Sequence, residues 1–468
     1  MPSSSSLFLN RRRVGHVVLF VQMLCVGAGL YAMGKFEPLV TPDTSLYSEY
    51  PMHTLRAALE NHRTPVYPVM LRALMHGTSN FNWVPFAQYV LYCIAVAVFY
   101  RGLAAVQKGS IRHAFVAGTL LYSTLLFNYV NVIGADCLAA TWAIAVLGSV
   151  LLRIGGHADF RTLIAIAITT CMTWLTRPAY LFLIILVPLV CILGKEQTKS
   201  DSKRSGRWRF GSIVFAVTLL PVLAYCSIQW MVVGRFAVVS LGGYNLVGTS
   251  GQFLDEGSLE EIPESLKPLG RLALEKRQQM EHQLAMPEAH RLNYLRMESR
   301  YDDHIWRIFV PAAQELLGEK SHRAVNKELK QIAVALVVAR PVDYFVWVAK
   351  AFRRGIGKMA SDMMLNPASL VIFLLTLFTM LAYSVRFLDQ RRRPGEVSRQ
   401  TAVLFLLACP FALLKLTTVI LVSIPIERMT SPAGLFVPVV FTALLADAIS
   451  GLFSKPHAPS PRAETSPP

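Results

Sequence analysis

Residues 132–152 read VIGADCLAATWAIAVLGSVLL. As a helix rising 1.5 Å per residue this run is about 30 Å long, the thickness of a bilayer's hydrocarbon core. Its one charged residue, Asp136, stands at the start. Nine further runs have the same character, at 14–34, 84–104, 111–129, 161–176, 178–194, 210–233, 368–388, 400–424 and 432–453. Lipid offers the backbone no hydrogen-bond partners, so a span must satisfy its own N–H and C=O groups, as a helix does. The expected fold is therefore all-α, a polytopic transmembrane bundle of about ten spans. The pair 161–176 and 178–194, divided by Arg177-Pro178, reads either as two thin spans or as a helical hairpin. Composition agrees: 53% of the 468 residues are hydrophobic and 16% charged, which excludes a soluble globular chain of this length.

The net charge of +17 would suit a nucleic-acid partner, but its distribution does not. Residues 234–367 hold 18 basic and 16 acidic residues, and the rest of the chain holds 28 and 13. Of those 28 basic residues, 21 lie in short loops and tails that alternate spans place on one side: Arg11–Arg13, 101–112, 153–161, 195–209, 386–399 and the C-terminal tail. This is the positive-inside pattern, which makes those loops and both termini cytoplasmic. The seven cysteines all fall within expected spans, so no disulfide framework and no metal-ligand spacing is present. The apolar stretch after Arg11–Arg13 exceeds a signal-peptide h-region and reads as a retained first span.

This topology divides the chain into an N-terminal membrane bundle (1–233) with a first external loop at 35–83, a large helical extracytoplasmic loop (234–367), C-terminal spans (368–453) and a Pro/Ser-rich disordered tail (454–468). The large loop opens with LGGYNLVGTSG (241–251), read as a flexible exit from span seven because it lacks the lysine of a phosphate loop. Helices are expected at 267–283, 287–308 and 321–339, the last ended by Arg340-Pro341. Residues 341–358 mix aromatic and basic side chains and suit a helix lying in the membrane interface. YDDHIW (301–306) reads as a solvated helical face.

Charge near membrane depth is costly and marks candidate sites. Here it collects at the external ends of spans. Asp43, Glu49, Glu60 and Arg63 follow span one, with Tyr67 just beyond; Asp136 opens span four; Arg177 occupies the turn after 161–176; Glu427 and Arg428 precede the last span. Lys415 lies inside span nine, either as another member or snorkelling toward the surface. Plainer roles exist for each: Asp43 and Asp136 as helix N-caps, the arginines reaching for headgroups, and Tyr67 as an interface anchor. Together, however, carboxylates and arginines can serve transfer at a phosphate. A carboxylate accepts the proton of an attacking hydroxyl, and guanidinium forks hold phosphate oxygens.

These motifs resemble the GT-C glycosyltransferases, in particular the family 39-like branch of protein O-mannosyltransferases and lipid A aminoarabinose transferases. PDTSLYSE (42–49) and TPVYPVML (64–71) match its first external loop in order and spacing; GADCLAATWAI, WLTRPAYLFL and IERMTSPAGLF resemble later motifs. The resemblance implies an inverting transferase of a bacterial inner membrane, using a polyprenyl-phosphate sugar donor and a glycan, lipid or protein acceptor on the non-cytoplasmic face. Asp43 would be the general base. Glu49, Arg63, Tyr67, Asp136, Arg177, Glu427 and Arg428 would be the substrate- or phosphate-binding candidates. Thr44 replaces a second acid and Met429 a tyrosine; the first departure removes support for a divalent cation held by paired acids. A transporter or lipid flippase, or a polysaccharide polymerase or ligase with its key groups in the large loop, are the competing expectations.

Overall fold

A computed structural model of the chain describes residues 4–75, 80–107, 111–157, 159–193, 202–239, 241–283, 294–318, 321–390 and 398–453. Side chains of 4–12, 202–207, 296 and 385–390, and those near 283, 383 and 451–453, stand outside that description. The expected tail 454–468 lies outside the described residues, as does the start of the helix expected at 287–308.

The described residues are predominantly helical, and their one strand-like feature is an isolated parallel bridge between Leu39 and Val132. Among the described residues six helices are long and apolar enough to cross a membrane: Arg13–Ala32, Val84–Val106, Ala135–Ile154, Trp208–Val233, Arg399–Ile420 and Glu427–Ser450. The chain is a polytopic helical membrane protein. About ten spans were expected, and these six fall short of that number, or seven if the bent pair His322–Ala339 and Pro341–Leu365 forms one span. Phe160–Thr176, Pro178–Leu193 and Pro367–Ala382 are apolar but shorter. The segment 111–129 is broken into Ile111–Gly118, a 3-10 turn and Thr124–Tyr129. The break falls at Ser123, whose extended backbone caps the second piece by accepting a bond from the Leu126 N–H.

Val84–Val106 and Ala135–Ile154 form the centre of the bundle. Their approach depends on glycine. A Cβ at Gly148 would lie 2.7 Å from the Phe99 amide nitrogen, and one at Gly102 would lie 2.5 Å from the Gly148 carbonyl oxygen. Small residues at such crossings are what draws helices together in lipid, where dispersion contact replaces the hydrophobic drive.

A second apolar core gathers the polar-loop region onto the C-terminal half: Val247, Phe253, Ile308, Phe309, Leu329 and Trp347 are buried together with Leu416 and Ile420. Three expectations change here. GGYNLVGTS is a helix, Gly242–Ser250, lying against His322–Ala339. A Cβ at Gly243 would come 2.3 Å from the Asn326 carbonyl, so the glycine serves helix packing and not chain flexibility. In YDDHIW, Tyr301, His304 and Ile305 are buried, and His304–Phe309 winds as a π-helical turn; the face is a core face. Finally, the basic aromatic helix extends over Pro341–Leu365, bent 99° from His322–Ala339. Its Tyr344 hydroxyl donates to the Leu421 carbonyl at 2.7 Å.

Candidate functional site

The segment 35–83 is fastened to two span ends by short polar contacts. Leu39 exchanges backbone bonds with the segment before Ala135–Ile154: its N–H reaches the Asn131 carbonyl at 2.8 Å, and its carbonyl accepts from Ile133 at 3.0 Å. Thr44, buried, donates its hydroxyl to the Ile133 carbonyl at 3.0 Å and accepts from the Thr41 N–H at 2.9 Å. Thr64 donates to the Thr176 carbonyl at 3.2 Å. Beneath these contacts Tyr47, Tyr67, Leu71, Val84, Ile133 and Leu138 form a small separate core. Thr44, which stands where a second acid was expected, is thus a fastener between loop and bundle.

This fastening joins five of the candidate side chains in one chain of ion pairs. Arg63 Nη2 lies 3.1 Å from Asp43 Oδ1. Asp43 Oδ2 lies 2.6 Å from Arg428 Nη1. Arg428 Nε lies 2.8 Å from Asp136 Oδ2, and the other Asp136 oxygen meets Arg177. The residues come from four distant places, each at an element end. Asp43 precedes the short helix Thr44–Ser48, and Asp136 lies in the first turn of Ala135–Ile154, where the helix dipole favours a negative charge. Arg177 closes Phe160–Thr176 in the extended backbone that a following proline imposes. Arg428 lies in the turn Glu427–Thr430.

Exposure grades along the chain of pairs. The side chains of Asp43 and Arg428 are 29% and 32% exposed, whereas Asp136 is 2% exposed. Asp43 and Arg428 therefore form the accessible end, and Asp136 with Arg177 the enclosed end. Asp43 makes no capping bond to its helix, so its carboxylate is committed to arginines. Burial works against its ionisation, but Arg63, Arg428 and Arg177 outweigh that and hold its pKa below the ordinary 3.8. Arg63 also lies over the Tyr47 ring, 5.1 Å from its centroid, a cation–π contact that limits its freedom.

Three candidates lie apart from the ion pairs. Glu49 is exposed at the C-cap of Thr44–Ser48, and no ion pair reaches it among the described residues. Tyr67 is fully buried, with its ring edge-on to Tyr47 at 5.0 Å; it supports Tyr47, and through it Arg63. Glu427 lines a cavity of ≈ 400 Å³ with Asn128, Asp362 and Asn366. Asp362 was not anticipated from the sequence. Burial and then Glu427 raise its pKa, against a 2.6 Å bond from the Ser431 hydroxyl and the charge of Lys358. Among the described residues no three His, Cys, Asp or Glu side chains gather as a metal site would require.

No family model matches the sequence, and no curated protein matches it. Among solved structures the chain is similar to the crystal structure of ArnT from Cupriavidus metallidurans bound to undecaprenyl phosphate. The identity is 14%, the match covers 96% of this chain and 78% of that one, and the TM-score is 0.32.

Proposed function

We propose that this protein is an integral membrane glycosyltransferase of the GT-C type. It would move a sugar from a polyprenyl-phosphate donor to an acceptor hydroxyl on the extracytoplasmic face of a bacterial inner membrane, with both termini cytoplasmic. The observation that carries this reading is the run of ion pairs Arg63–Asp43–Arg428–Asp136–Arg177. It joins five of the eight residues that the motif resemblance singles out, at the span ends that this reading makes external.

The geometry suits a base that substrate binding releases. With an arginine on each oxygen, Asp43 is ionised but a weak base, since a low pKa lowers its proton affinity. A donor phosphate competes for Arg428, the most exposed of the three arginines, through charge-assisted bonds. Asp43 then keeps Arg63 alone, and its basicity rises at the moment an acceptor hydroxyl is needed as nucleophile. The acceptor oxygen bonds to the anomeric carbon from the face opposite the phosphate. The C–O bond to phosphate breaks with its electron pair, and the hydroxyl proton passes to Asp43. Arg428 and Arg177 offset the charge left on the polyprenyl phosphate. Glu427 and the cavity beside it would hold the hydroxyl-bearing partner, and Glu49 would contact substrate only from outside the ion pairs.

The test is reconstitution in liposomes with a polyprenyl-phosphate-linked sugar and a mixture of hydroxyl acceptors. A glycosyltransferase releases polyprenyl phosphate and leaves the sugar on an acceptor. Movement of intact lipid-linked sugar between leaflets, with no cleavage, would instead establish a flippase.

A further inference from the structure

Lys415 is 1% exposed, among the largest fully buried side chains of the protein. It sits in the helix Arg399–Ile420 with Phe411, Leu416 and Val419 buried beside it. A snorkelling lysine would carry its ammonium to water; this one does not reach the surface. Its Nζ lies 4.0 Å from the centre of the Tyr180 ring. Among the described residues no carboxylate forms an ion pair with it. A cation–π contact recovers only part of what burying a charge forfeits.

Tyr180 links this lysine to the ion pairs. It ends the 3-10 turn Pro178–Tyr180, and its N–H donates to the Arg177 carbonyl at 3.1 Å. Its side chain is 1% exposed, and its hydroxyl has no hydrogen-bond partner among the described residues. Two buried polar groups, one cationic and one a free hydroxyl donor, therefore lie next to the Arg177 turn. The charges here are Arg63, Arg177, Arg428 and Lys415 against Asp43 and Asp136. With Lys415 protonated the cations exceed the carboxylates by two, the charge of the departing polyprenyl phosphate monoester; the intact donor, a phosphodiester, carries one.

We propose that Lys415 and Tyr180 form the inner half of an anion site that takes the phosphate of the lipid donor, with Arg177 and Arg428 as its outer half. This rests on the polyprenyl-phosphate reading above and adds the residues that select phosphate from within the bundle. The ammonium and the tyrosine hydroxyl donate to phosphate oxygens. As the anomeric C–O bond breaks, the charge left on the departing phosphate falls beside Lys415.

The test uses the full-length protein in lipid nanodiscs and three probes: a polyprenyl phosphate, the matching polyprenol and inorganic phosphate. Affinities are compared for wild type, Lys415→Met, Lys415→Arg and Tyr180→Phe. Wild type should prefer the lipid phosphate to the alcohol. Lys415→Met should weaken lipid phosphate roughly tenfold or more, as loss of a charge-assisted bond does, and leave the alcohol unchanged. Lys415→Arg should lose less, and Tyr180→Phe should show a smaller loss of the same kind. Without ligand, Lys415→Met should unfold at or above the wild-type temperature, because a buried charge with no carboxylate partner is gone. Unchanged phosphate affinity in Lys415→Met overturns the proposal, as does early unfolding with phosphate and alcohol weakened alike. Inorganic phosphate bound as tightly as the lipid would remove the lipid from it. A wild type that does not distinguish phosphate from alcohol overturns the donor reading, and this inference with it.

Discussion

Asp136 is the joint of the ion-pair chain, and its replacement by Asn tests whether that chain is a single unit. The side chain is 2% exposed and carries Arg428 at 2.8 Å on one oxygen and Arg177 on the other. The amide keeps the volume and removes the charge. Stripping one partner from a buried pair costs about 3–5 kcal/mol. Two features reduce that here: Arg428 retains Asp43, and the Arg177 side chain is 15% exposed. Loss of the helix-dipole term adds back roughly 0.3–1 kcal/mol. A destabilisation of about 2–4 kcal/mol follows. The double variant Asp136→Leu/Arg177→Met leaves no orphaned charge at the enclosed end, so it should be less destabilised than the sum of its singles by at least about 1 kcal/mol. The assay is denaturant unfolding in mixed micelles, read by fluorescence of Trp142 and Trp174, which lie on the two helices that carry these residues. Single-variant costs that simply add would refute the claim that Asp136 and Arg177 act as a pair.

Gly148→Ala should destabilise by about 1–3 kcal/mol through overpacking, because its Cβ would meet the Phe99 backbone at 2.7 Å; thermal unfolding in detergent checks this. Thr44→Val removes a donor to the Ile133 carbonyl and should cost about 1–3 kcal/mol if that acceptor is left unpaired. It should slow transfer and leave polyprenyl-phosphate affinity unchanged, as the loop loses its fastening but the arginines remain. Burial, with Arg277 and Arg300 nearby, lowers the His304 pKa to about 3. The unfolded chain then binds this proton first, so stability is present above the ordinary 6.5 and falls as pH drops from there toward 3; His304→Gln should flatten the unfolding midpoint between pH 7 and 4.5.

The sequence makes the class of fold legible because lipid imposes one strong rule, and runs such as 135–154 obey it. It also picks out Asp43, Arg63, Asp136, Arg177 and Arg428, since charge at a span end is conspicuous against an apolar background. What it leaves open is which side chains meet. Nothing local distinguishes Glu49, which faces outward, from Asp43 six residues earlier; the difference is set by the Thr44–Ile133 and Thr64–Thr176 bonds, whose partners are far apart in the chain. Glu427 and Arg428 are neighbours of which one lines a cavity and the other joins the ion pairs. The helix Gly242–Ser250 is hidden by its glycines, which weaken helices in isolation but here admit the Asn326 carbonyl, which a Cβ at Gly243 would meet at 2.3 Å. Asp362 lies beyond the interfacial helix expected at 341–358, and nothing local marks it until Ser431 and Glu427 fold against it.

The most direct measurement is single-turnover transfer from a polyprenyl-phosphate sugar by Asp43→Asn, alongside its affinity for the lipid phosphate. The substitution removes the proton acceptor and releases Arg428 from its 2.6 Å pairing. Transfer should fall by about 10²–10⁴, the range of a lost general base, while the folded protein binds lipid phosphate as tightly as wild type or more so. Transfer at the wild-type rate by a folded Asp43→Asn protein would contradict the assignment of Asp43 as the base.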